Sequence, residues 1–328
     1  KFYILEWKLL ADNLTNPSLL FFCLGLLAVQ LKSDLEIPAN SSKFITLYLL
    51  FSIGFRGGQE LSHSVIETEV IWTLVVAIFL SLIIPIYCFF IVKKKLGVEN
   101  AGAIAAAYGS VSAVTFITAV SFLEAHDIHF GGHMVAVMAL MEAPAIVAGV
   151  LLISLYRGES QEKSDFLSVV KHAFTNGSVV MILGSLVIGY IASDSQAEGI
   201  KPFATDLFKG FLSIFLLDMG ITSGQKLKSF FKNGWFAFGF AILIPLINGT
   251  LTAILSAALS PEDGNRLLLT VLAASASYIA VPAAMKLAAP KANPGLYIPM
   301  ALAITFPMNI IFGIPWYLYV IHQVPFWF

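Results

Sequence analysis

Charge is scarce in this chain. Lys, Arg, Asp and Glu make up 12% of its 328 residues, where a soluble domain carries about 25%, and the deficit excludes an ordinary water-soluble fold. The net charge of −1 offers no basic field to nucleic acid. Cysteine is rarer still. Cys23 and Cys88 both lie inside apolar runs, where a buried thiol is the default; they imply no disulfide framework and leave the redox compartment unspecified. The usual enzyme signatures are missing as well: there is no HExxH, no phosphate-cradling glycine loop and no nucleophile elbow.

What the chain has is apolar length. With 58% hydrophobic residues and a mean hydropathy of +0.85, it reads as an all-α integral membrane protein. Ten segments approach the roughly 20 residues that a helix needs to cross a bilayer. The first five run from Pro17 to Leu31, Lys43 to His63, Val70 to Val92, Asn100 to His126 and His133 to Tyr156. The second five run from Gly177 to Ala192, Phe203 to Leu227, Trp235 to Leu259, Arg266 to Ala289 and Gly295 to Ile321. Segments one and six are short for a full span and are expected to tilt or to draw on flanking residues. Phe2 to Leu10, broken by Glu6 and Lys8, is a poor signal peptide and reads as an interfacial amphipathic segment.

The two sets of five overlay at a near-constant offset. IGFRGGQEL from Ile53 to Leu61 parallels MGITSGQKL from Met219 to Leu227, 166 residues later; Pro85 parallels Pro245, and Pro144 parallels Pro307. The chain therefore divides into a first repeat at 1–156, a connector at 157–176 and a second repeat at 177–328. Five spans per repeat is an odd number, so the second copy enters the membrane from the opposite side. The expected architecture is ten transmembrane helices in two inverted five-helix repeats about a pseudo-two-fold axis, a transporter pattern. Most Lys and Arg residues, Lys43, Lys93, Lys94, Lys95, Arg157 and Lys226 among them, fall on one side. The positive-inside rule makes that side cytoplasmic. Both termini then lie outside a multi-pass inner (plasma) membrane protein.

Two stretches carry the polar chemistry. AAAYGSVSAVTFI, from Ala105 to Ile117, and LAASASYIAVPAA, from Leu272 to Ala284, are small and hydroxyl-rich at membrane depth, the composition expected where a helix breaks and lines a cavity. A break at Gly109 would present a half-helix N-terminus to a small anion, with Ser110, Ser112 and Thr115 as donors. The second copy supplies Ser275, Ser277 and Tyr278, and Pro282 would free a carbonyl for a cation. Glu142, ahead of Pro144, is an ionisable residue at depth and so a candidate to hold a cation or a proton. Arg56 and Asp218 read as a structural ion pair or as snorkelling positions. Asn248 and Asn309 read as interhelical hydrogen-bond formers.

A rival constellation is HDIHFGGH, which places His126, Asp127, His129 and His133 within eight residues. Three imidazoles and a carboxylate could hold Zn2+ in a membrane metalloprotein. The spacing matches no zinc motif, and Gly131-Gly132 marks a turn between spans.

The chain resembles the sodium-dependent bicarbonate transporter family of the SbtA type. The likeness is best at YGSVSAVTFITAVSFLEA with MEAPAI, and at LAASASYIAVPAA with PKANPGLYIP. The resemblance implies a core domain moving against a gate domain, a homotrimer in the lipid bilayer, and inward transport of bicarbonate driven by Na+. Gly109, Ser112 and Thr115 match the first motif, Ser275, Ser277 and Pro282 the second, and Glu142 stands where the family has an acidic residue. The chain departs from the pattern at Ala113 and Val114, at Tyr278 in place of an acidic residue, and at Phe306 in place of a hydroxyl. Thr305 is adjacent to Phe306, and with Glu142 and Asn309 it completes the ion-binding candidates. The short connector leaves a PII-like cytoplasmic regulator as a possible partner. The altered positions also leave room for another small anion or carboxylate with changed coupling.

Overall fold

A computed structural model describes residues 13–63, 68–157, 167, 171, 175–230 and 234–327. The Phe2 to Leu10 segment and most of the connector lie outside the described residues.

Thirteen helices organise the described residues, and no strand occurs among them. In chain order they are α1 (Pro17–Gln30), α2 (Ala39–His63), α3 (Thr68–Leu96), α4 (Val98–Gly109), α5 (Ala113–Ala125), α6 (His133–Tyr156), α7 (Gly177–Ile191), α8 (Asp194–Lys201), α9 (Phe208–Phe230), α10 (Trp235–Leu255), α11 (Asp263–Ala274), α12 (Ala280–Ala288) and α13 (Pro294–Gln323). The last contains π turns at Met300–Thr305 and Asn309–Gly313. Local sequence sets several of the starts. Asn16 caps α1 by accepting from the Ser18 amide, and Asn176 caps α7 by accepting from the Ser178 amide, each at 2.9 Å. α3 opens with Glu69 and closes with Lys93, Lys94 and Lys95, matching the helix dipole at both ends.

Six stretches among the described residues are long and apolar enough to cross a membrane: Thr68–Leu96, Val98–Ala125, His133–Tyr156, Asp194–Leu227, Trp235–Ala258 and Pro294–Gln323. The other expected spans fall short for identifiable reasons. α1 and α7 are apolar but have 14 and 15 residues, about 22 Å at 1.5 Å per residue. α2 is diluted by Arg56, Gln59 and Glu60, and the segment from 263 to 288 is split into α11 and α12. The outward residues of α3, including Ile71, Trp72, Val75, Phe79 and Phe90, are exposed and apolar, the inverse of a water-facing helix and the expected face toward lipid. Cys23 is exposed and Cys88 buried, so only one thiol meets the expectation of burial.

Helix packing divides into two groups. α2 lies against α7, and α9 lies against α1, with α2 and α9 also touching. Both crossings are close because glycine lines them. A Cβ on Gly58 would run into the Leu186 carbonyl and the Tyr190 amide of α7, and one on Gly220 would run into the Phe22 carbonyl of α1, so only small residues allow the approach. In the second group α3 packs on α4 and α6, α10 packs on α11 and α13, and the half-helices cross-contact, α11 on α5 and α12 on α4. Tyr108, Tyr297, Tyr317, Phe116 and Phe306 are among its largest fully buried side chains.

α8 was not expected. It lies between the sixth and seventh expected segments, where Ser193 and Gln196 form a capping box, with the Ser193 amide donating to Gln196 Oε1 at 3.0 Å.

Candidate functional site

The two hydroxyl-rich stretches are helix breaks, and they touch. α4 ends at Gly109; Ser110 and Ser112 are extended, and Ser112 then caps α5 by accepting from the Thr115 amide at 3.2 Å. α11 ends at Ala274; Ser275 is extended, and α12 resumes at Ala280. Pro282 falls in the first turn of α12, where its missing N–H costs little, so the break precedes it. The Ser112 amide donates to Ser275 Oγ at 2.9 Å, and the Ser277 amide donates to the Ala107 carbonyl at 2.8 Å. These two bonds tie residues more than 160 positions apart into one crossing.

The crossing supplies both signs of partial charge. The Ser112 cap uses the Thr115 amide, and the Ala113 and Val114 amides at the positive end of α5 have no acceptor among the described residues. α4 and α11 point their negative C-terminal ends at the same place. Ser110 Oγ and Thr115 Oγ1 are buried hydroxyls without a partner among the described residues, an arrangement that carries a desolvation cost.

A narrow cavity of about 20 Å³ lies at the crossing, enough for a water-sized species. Ser112, Ala113, Glu142, Ser277 and Tyr278 line it from the broken helices and α6, and Thr46 and Ser178 line it from α2 and α7. Glu142 forms no hydrogen bond or ion pair among the described residues. Thr46, Ser178, Tyr278 and Ile279 also border an open vestibule of about 800 Å³, whose wall carries Ser42, Lys43, Asp218 and Lys226. Toward the other end of α2 the two helix groups are in close contact. Arg56 pairs with Glu124 of α5, and a Cβ on Gly132 would meet the Gly57 carbonyl.

The remaining sequence candidates have other places. Thr305 Oγ1 donates to the Ala241 carbonyl at 2.7 Å and sits 2.8 Å from the Tyr108 hydroxyl. Asn309 Nδ2 donates to the Ala274 carbonyl at 2.8 Å, and Tyr317 donates to Asn309 Oδ1 at 3.0 Å. Both side chains are fully buried and neither lines the cavity. Gly109 packs on Pro85, and Ser275 donates to the Leu272 carbonyl. Asn248 accepts from the Tyr87 hydroxyl at 2.5 Å, an interhelical bond of the expected kind. The Arg56–Asp218 pairing does not form: Arg56 takes Glu124, and Asp218 accepts from Ser42 Oγ at 2.5 Å. Sequence reasoning missed Thr46, Ser178 and Ser42, which reach the site from other helices; Asn-Ser and Lys-flanked starts gave no sign of it.

The histidines diverge. His126 Nδ1 lies 2.8 Å from the Phe122 carbonyl, His129 lies 3.5 Å from Glu262, and His133 is buried at the start of α6. Among the described residues no three His, Cys, Asp or Glu side chains gather as a metal site.

A family model described as the Na+-dependent bicarbonate transporter superfamily matches residues 17–322. No curated protein matches the chain.

Proposed function

Because the chain belongs to the Na+-dependent bicarbonate transporter superfamily, we propose that it imports bicarbonate together with Na+ by alternating access at the crossing of the two broken helices. The observation that carries this reading is the cavity, which gathers Ser112, Glu142, Ser277 and Tyr278 from distant parts of the chain. The Ala113 and Val114 amides, the dipole of α5 and the hydroxyls of Ser112 and Ser277 suit a small oxyanion. Glu142 and the carboxyl ends of α4 and α11 suit the accompanying cation. Ser110 and Thr115 stand close in sequence with unpaired hydroxyls, ready to re-bond when the site fills.

Paired contacts support the inverted repeat. α2 on α7 corresponds to α9 on α1, α3 on α4 to α10 on α11, and α3 on α6 to α10 on α13. In this reading α1, α2, α7 and α9 form the gate and α3–α6 with α10–α13 the core. The trimer implied by the resemblance belongs to the same reading. With the Lys-rich side cytoplasmic, the vestibule beside Lys43 and Lys226 opens inward, and the Arg56–Glu124 pair closes the outer side. The state is inward-open.

Ser112→Ala and Ser277→Ala test the site in reconstituted protein. Each is expected to raise the bicarbonate concentration for half-maximal uptake. Uptake unchanged in both, with correct insertion verified, would remove the crossing as the binding site.

A further inference from the structure

Asp218 is the one charged group of the vestibule wall that lies deep. It is 7% exposed, on the face of α9 that meets the crossing, next to Met219, whose sulfur accepts from the Tyr278 hydroxyl at 3.5 Å. A carboxylate held there needs a compensating charge or several donors. Among the described residues it has a single hydrogen bond, from Ser42 Oγ to Oδ2, and no ion pair. Lys226 is two helical turns away along α9, about 12 Å, and Lys43 is exposed at the rim. Oδ1 takes no hydrogen bond among the described residues, and Asp218 lines the vestibule.

Hydroxyl side chains line the same vestibule as this carboxylate. Ser42 and Thr46 are one turn apart on α2, and Asp218 and Thr222 are one turn apart on α9; all four line the vestibule where the two helices touch. Thr46 donates its proton to the Ser42 carbonyl at 2.9 Å, so its oxygen presents lone pairs. Ser42 gives its proton to Asp218 and likewise presents lone pairs. One carboxylate with hydroxyl oxygens is a donor set for a hard cation. Thr46 and Tyr278 border both the vestibule and the cavity that holds Glu142, so a cation at Glu142 has Asp218 as its next carboxylate.

We propose that Asp218, with Ser42, Thr46 and Thr222, forms a second Na+ site on the α2–α9 face, occupied as the cation passes between the Glu142 cavity and the vestibule. The proposal rests on the transport reading above but is measured apart from it. Labelled Na+ binding to detergent-purified protein reads the site without transport: wild type is expected to bind more Na+ per chain than Asp218→Asn, with Asp218→Glu restoring the difference. In proteoliposomes Asp218→Asn should raise the Na+ concentration for half-maximal uptake by about tenfold, the loss of one charged ligand. The bicarbonate dependence at saturating Na+ should stay close to wild type. Equal Na+ binding by wild type and Asp218→Asn would overturn the proposal whatever uptake does. Absence of any Na+-stimulated uptake in wild type would overturn the transport reading and leave the binding result to judge the site. Should Asp218→Asn fail to fold, Ser42→Ala and Thr222→Val must weaken Na+ binding, and binding unchanged in both would refute the site.

Discussion

Replacing Asn309 with alanine separates two roles that sequence alone leaves merged, an ion ligand and a clamp on a broken helix. Its amide holds the Ala274 carbonyl, the last of α11 before the break, and its oxygen receives the Tyr317 hydroxyl, both in a fully buried setting. In a soluble core each orphaned partner would cost about 1–3 kcal/mol. Two considerations lower the sum. Tyr317 retains the Pro245 carbonyl at 3.2 Å as an alternative acceptor, and hydrogen bonds in membrane proteins average about 0.6 kcal/mol because the unfolded segment also finds partners. The expected loss is therefore about 1–2 kcal/mol, dominated by the Ala274 carbonyl. That should lower the thermal midpoint in detergent by about 2–4 °C. The maximal uptake rate should fall with it, since the break is less firmly held, while the Na+ concentration for half-maximal uptake stays near wild type. Asn309→Asp should share the defect, because it keeps the acceptor for Tyr317 but loses the donor to Ala274. A variant of wild-type stability whose Na+ requirement rises about tenfold, the equivalent of 1.4 kcal/mol of cation binding, would refute the clamp and restore Asn309 as a cation ligand.

Gly58→Val should prevent α2 from docking on α7 and yield no monodisperse protein by size exclusion, whereas Gly184→Ala, with open space around its Cα, should behave as wild type. His126→Ala and His129→Ala should leave uptake within about twofold, with no stoichiometric zinc in the purified protein by elemental measurement. Arg56→Gln removes the cross-helix pair with Glu124; in a protein with Cys23 and Cys88 changed to serine, it should increase labelling of Ala113→Cys by an impermeant thiol reagent added from outside.

The breaks were legible because their cause is local: Gly, Ser and Thr crowd into AAAYGSVSAV and LAASASYIAV at a depth where lipid-facing helices carry Leu and Phe. The close crossings were legible in part, since Gly54 and Gly58 sit in the same relation as Gly220 and Gly224. α8 was also within reach through Ser193 and Gln196. The gate-side lining was not. Thr46, Ser178, Ser42 and Asp218 come from three helices outside the two broken segments, and only tertiary packing brings them to the crossing. Arg56 could not be assigned for the same reason, because its partner Glu124 ends a helix of the other group. Thr305 and Asn309 lie beside Pro307 in the sequence, but their turn of α13 points them at Ala241 and Ala274 instead of the cavity.

The central claim is coupled movement of bicarbonate and Na+ through the crossing. Its most direct test is uptake of labelled bicarbonate into proteoliposomes at fixed pH, with and without an inward Na+ gradient, beside protein-free vesicles. The account predicts accumulation that requires the gradient and disappears in Ser112→Ala/Ser277→Ala protein. Uptake indifferent to Na+, or no uptake by correctly folded protein, would contradict it.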